Sequence, residues 1–138
     1  MTDPTQITFQ VAFDLYQKQS SSLDELWKFY STVAVALLSA VVASDKLKAT
    51  PTGMAVIIGG FLFFAVSNLI VVLNVHAPMI ALAELTNSLA PPTVNGKAVC
   101  LKSSSPWAVG AFHLIADVFF VSAMWLVFKS SHKQPTPA

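Results

Sequence analysis

The chain has 138 residues, 54% of them apolar and 11% charged, with a formal net charge of +1. A charged share so far below the usual quarter of a soluble domain makes the bilayer the expected solvent. The chain has no arginine and a net charge close to zero, which argues against a nucleic-acid partner.

The N-terminal stretch carries Asp3, Asp14, Asp24 and Glu25 where a cleavable signal peptide would have a basic segment followed by an apolar one. Asp3-Pro4-Thr5-Gln6 offers an N-cap acceptor, a proline for the first helical position and a capping-box glutamine, so a helix is predicted over 4–19. Ile7, Phe9, Val11, Phe13 and Leu15 alternate as a strand would, whereas Phe9, Phe13, Tyr16, Leu23, Leu26 and Tyr30 form a helical stripe. Helix is preferred, because a lone strand has no partner elsewhere in the chain. Ser22-Leu23-Asp24-Glu25 is a second capping box, and the serine run Ser20 to Ser22 reads as a break or weak joint before the first crossing.

Three segments are long and apolar enough to cross about 30 Å of hydrocarbon: Trp27 to Ser44, Met54 to Val75 and Trp107 to Phe128. The fold class is therefore an all-α integral membrane protein, with transmembrane helices over about 27–45, 51–76 and 106–128. The short link from Asp45 to Pro51 forces the first two crossings into an antiparallel hairpin. Past Pro78 the apolar pattern of Met79, Ile80, Leu82, Ala83 and Leu85 predicts a helical extension of the second helix over 78–90. This extension leaves the bilayer on the same side as the N-terminal helix, and the two apolar stripes are expected to pack together.

Between Pro91 and Ser105 a loop is expected, with Asn95-Gly96 turning a tiny hairpin, and Ser105-Pro106 starts the third crossing. Residues 1–128 form a single helical membrane domain and 129–138 a flexible polar tail. The single cysteine, Cys100, excludes an internal disulfide. Lysines are evenly divided between the two sides, but Lys46, Lys48, Lys129 and Lys133 lie close to membrane ends in short segments. That bias favours an outside N-terminus and a cytoplasmic C-terminus.

Polar residues concentrate at one depth. Asp117 lies at the middle of the third span, His113 about 7 Å to its N-terminal side, and Ser67 and Asn68 about 4 to 5 Å to the same side of the second. Ser31 and Thr32 of the first span fall at a similar level. In the opposite half Ala36, Ala40 and Ser44, with Ala55, Gly59 and Gly60, have the small-residue spacing that lets helices approach closely. Ionisable groups at midplane are costly, so His113 and Asp117, one turn apart on one face, are candidates for an ion or proton path, with Asn68 beside them and Ser122 further along. Ser31, Thr32 and Ser67 form a supporting layer whose ordinary role is interhelical hydrogen bonding.

Gly110-Ala111-Phe112-His113-Leu114-Ile115-Ala116-Asp117 resembles a G-x-x-H-L-x-x-D stretch of the membrane-anchor subunits of succinate dehydrogenases. That resemblance implies haem or quinone held beside soluble partner subunits. The chain departs from it in having Phe112 at an arginine position, Pro106 at that of the haem-ligating histidine, and the stretch in the third crossing instead of the second.

Three functions fit these residues, and the first is preferred with the other two as alternatives. One is a self-assembling channel or pore-like subunit with His113 and Asp117 in the path. Another is a non-catalytic structural or accessory subunit of a larger membrane complex, and the last a haem- or quinone-bearing anchor. No nucleophile elbow, phosphate loop or zinc-protease motif is present, so no enzymatic activity is expected; neither is a metal site or a bound cofactor outside the anchor reading. The expected partners are the bilayer and either further copies of the chain or a membrane complex.

Overall fold

A computed structural model describes residues 7–48, 50–89, 93–94, 97–98 and 100–131. The elements in chain order are α1 (Phe9–Ala43), α2 (Asp45–Lys48), α3 (Pro51–Ser88), β1 (Thr93–Val94), β2 (Lys97–Ala98) and α4 (Pro106–Ser131). The protein is an all-α, three-span integral membrane protein, for α1, α3 and α4 are each long and apolar enough to cross a bilayer.

The predicted N-terminal helix and the first crossing are one uninterrupted helix of 35 residues. Thr8 caps it, its hydroxyl accepting from the Val11 N–H at 3.4 Å; the Asp3–Pro4 start predicted from sequence lies outside the described residues. The serine run does not break the helix, and Ser22 donates to the Lys18 carbonyl within it instead of capping a new one. Tertiary packing overrides that local stop signal, because Ala12 and Tyr30, on either side of it, are both buried on the stripe that faces α3.

At the other end α1 turns through the short α2 into Thr50, whose hydroxyl accepts from Gly53 N–H at 3.1 Å with Pro51 as the first helical residue. The 38-residue α3 then runs through Pro78 to Ser88, as the extension predicts. Pro78 has no N–H to donate back into the preceding turn, and the neighbouring Val75 carbonyl accepts at 3.0 Å from the Gln19 side chain of α1. Buried Ala65, Val72, Met79 and Thr86 recur along α3 at the heptad interval that keeps a seam facing one partner helix. That seam carries the α1–α3 pair beyond the apolar spans, and the predicted packing of the two extensions follows from it.

The core is Tyr30, Ala34 and Val41 of α1, Met54, Phe61 and Ala65 of α3, and Met124 of α4. The small-residue face is not part of it. Ala36, Ala40, Ala55, Gly59 and Gly60 are exposed, and a Cβ added to either glycine would meet nothing within 4 Å. Larger side chains hold the helices together there, since dispersion between well-filled surfaces serves as well as close backbone approach.

Thr93 pairs with Ala98 and Val94 with Lys97, the predicted hairpin, whose Asn95-Gly96 turn lies outside the described residues. Asn87 ties this loop to α3, accepting from Leu101 N–H at 2.8 Å and donating to the Leu101 carbonyl at 3.0 Å. Ser105 caps α4 by accepting from Ala108 N–H at 3.2 Å. Helix α4 continues to Ser131, past the predicted start of the tail, and 132–138 lie outside the described residues.

Candidate functional site: an intramembrane polar network

Four side chains from three helices meet at the depth that the helical rise predicts. Asp117 accepts from the Tyr30 hydroxyl at 2.5 Å through one carboxylate oxygen, while its other oxygen lies 3.1 Å from His113 Nδ1. His113 Nε2 lies 3.2 Å from Asn68 Nδ2. His113 and Asp117 share a face because they are one helical turn apart on α4; α1 brings Tyr30 and α3 brings Asn68.

The roles of the two His113 nitrogens depend on the tautomer of the ring and the orientation of the Asn68 amide. With the Asn68 amide nitrogen donating, His113 Nε2 accepts, and the proton on Nδ1 is donated to Asp117. Turning the Asn68 amide over would present its oxygen to Nε2 and suit a doubly protonated imidazolium paired with the carboxylate.

Aromatic rings wall the network. Tyr30 and His113 have ring centres 4.5 Å apart, Trp27 lies 5.3 Å from His113, and Phe64 stacks on Tyr30 at 6.1 Å. His113 is fully buried and Asn68 and Tyr30 nearly so, whereas the Asp117 side chain keeps 13% of its exposure. That opening faces a pocket of about 270 Å³ between α3 and α4, lined by Leu62, Ala65, Val66, Leu114 and Ser122 among others.

Three predicted members stay out of the network. Thr32 donates to the Lys28 carbonyl at 2.8 Å and Ser67 to that of Phe63 at 2.8 Å, each closing a bond inside its own helix. Both are exposed, as is Ser31, which lines a shallow hollow with Thr32, Val35 and Ala36. Equal depth brought them to the right layer; the rotation of each helix turned them outward. Ser122 is also exposed, but it shares the α3–α4 pocket with Asp117.

Tyr30 is the member that depth arithmetic missed, because its ring reads as part of the apolar stripe. The usable signal was the hydroxyl, since a tyrosine buried in an apolar span needs a polar partner.

Neither nitrogen of His113 is free for an iron atom, since one faces Asn68 and the other Asp117. The residues of the G-x-x-H-L-x-x-D stretch thus do not fit haem ligation. Among the described residues no group of three His, Cys, Asp or Glu side chains is placed to hold a metal ion.

Fold and site together define a small multi-pass integral membrane protein with a hydrogen-bonded network at the level of the hydrocarbon core. Comparison with protein-family models, with curated proteins and with solved structures finds no match to this chain.

Proposed function

We propose that this protein is a non-catalytic structural or accessory subunit that works by assembling in the bilayer, with the Tyr30–Asp117–His113–Asn68 network locking its three helices. The observation that carries this reading is closure: both carboxylate oxygens of Asp117 and both ring nitrogens of His113 have partners within the one chain. A path-lining pair would need polar atoms turned toward a neighbour or a water file, and here His113 has none to offer. Large apolar side chains such as Phe63 and Val56, 78% and 70% exposed, supply surface for lipid or for partner helices. The lysine bias supports an outside N-terminus and a cytoplasmic C-terminus.

A second reading, the channel or pore-like subunit with His113 and Asp117 as proton or ion path elements, draws support from the residual exposure of Asp117. Its carboxylate edge and Ser122 share the α3–α4 pocket, which a second copy could close into a path.

Reconstitution of the wild type and Asp117→Asn into liposomes separates the two. The structural reading expects proton and cation flux at the level of empty liposomes for both proteins, with lower thermal stability for the variant. Flux in the wild type that collapses in Asp117→Asn would overturn it and establish the path.

A further inference from the structure

His76 is buried to 1% in α3, yet among the described residues neither of its ring nitrogens has a hydrogen-bond partner. An unpaired polar group in such a place costs free energy that a ligand or water normally recovers. His76 also lines a pocket of about 450 Å³ formed where α1, α3 and the start of α4 diverge. Leu23, Trp27, Met79 and Phe112 make most of its wall apolar, and apart from His76 the lining side chains with a polar group are Ser104 and, through its indole N–H, Trp27.

Depth narrows the ligand. By helical rise His76 lies about 17 Å from the middle of the span Met54 to Val75, against a hydrocarbon half-thickness of about 15 Å. The pocket is therefore at the boundary between acyl chains and headgroups. A single water takes only about 30 Å³ and would leave most of this largely apolar pocket unfilled. A molecule with a long apolar body and a hydrogen-bonding group just inside the headgroup layer matches the wall better.

We propose that this pocket binds an ester-linked bilayer lipid, whose glycerol-ester carbonyl accepts a hydrogen bond from the His76 ring while an acyl chain lies against Trp27, Met79 and Phe112. The pocket adjoins the polar network through Trp27, while His76 lies about 12 Å further along α3 than Asn68. It stands independently of the choice between the two functions above.

The test uses the full chain in detergent, with native mass spectrometry counting retained lipid after incubation with diester phosphatidylcholine or its dialkyl-ether analogue, which lacks the carbonyls. The expected result is one diester lipid retained per chain by the wild type, with retention reduced at least fivefold for the ether lipid and for His76→Phe. The ether comparison needs no variant, so it decides the matter even if His76→Phe folds poorly. Equal retention of ester and ether lipid, loss of neither in a folded His76→Phe, or a wild type that carries no lipid because water or a second copy covers His76, each overturns the proposal.

Discussion

At the scale of single residues, Asp117 turns from a midplane liability into the hub of the bundle. An ionisable side chain at the centre of a span costs a few kcal/mol by insertion scales, and the Tyr30 hydroxyl and the His113 ring offset it. The two partners are not equivalent to each other. Tyr30→Phe keeps the ring packed against Phe64 and His113 and removes one donor, so a loss of about 1 kcal/mol is expected, near the average for interhelical bonds in membranes. Asp117→Leu strands the Tyr30 hydroxyl and His113 Nδ1 together and should cost about 2 to 6 kcal/mol, since each buried group left unpaired costs about 1 to 3. Reversible unfolding in mixed micelles reads both variants, and equal losses would show that Asp117 is no hub. Asp117 and His113 were legible in the sequence because charge in an apolar helix is conspicuous. Tyr30 was not, because an aromatic residue satisfies a hydrophobic pattern whether or not its hydroxyl is used.

At the scale of elements, the lengths of α1 and α3 carry the design. At 35 and 38 residues they are about 52 and 57 Å long, well beyond the hydrocarbon, and their shared seam continues outside it. The 26-residue α4 is the shortest of the three. It packs on both others through Met124 and the polar network, and the loop before it ties its start to the end of α3. Asn87 holds that loop through two bonds to the backbone of Leu101, which no hydrophobic pattern announces. Asn87→Ala is expected to leave helix content unchanged while raising amide hydrogen exchange at Leu101 by about tenfold, the equivalent of roughly 1.4 kcal/mol of local stability. Unchanged exchange at Leu101 would mean that the loop is held by other contacts. The serine run shows the converse error: its capping box is a genuine local signal, but a helix end there would have separated buried Ala12 from buried Tyr30 and broken the α1–α3 seam.

At the scale of the whole molecule, three crossings put the N-terminal extension, the Pro78 extension and the β1–β2 strands on one side of the membrane, with α2 and the C-terminal end of α4 on the other. Cys100, the single cysteine of the chain, is exposed just after β2 and reports the orientation without any mutation. With an outside N-terminus, a membrane-impermeant maleimide should label Cys100 in intact cells. Labelling only after permeabilisation would reverse the assignment. The exposed apolar surface of α3 and α4 suits contact with acyl chains, where packing and polar contacts, not burial of apolar area from water, hold helices together.

The sequence by itself determined the solvent, the number of crossings, the helical extension past Pro78, the loop hairpin and the depth at which polar groups gather. Those properties depend on composition, length and a fixed rise per residue. Only the tertiary structure decided which polar residues at that depth face one another, because facing depends on how each helix is rotated about its axis. That rotation is set by the packing of Ala34, Phe61, Ala65 and Met124. It turned Ser31, Thr32 and Ser67 outward, the last two bonding to their own helices, joined Tyr30 to Asp117, and left His76 buried beside an apolar pocket without a partner among the described residues.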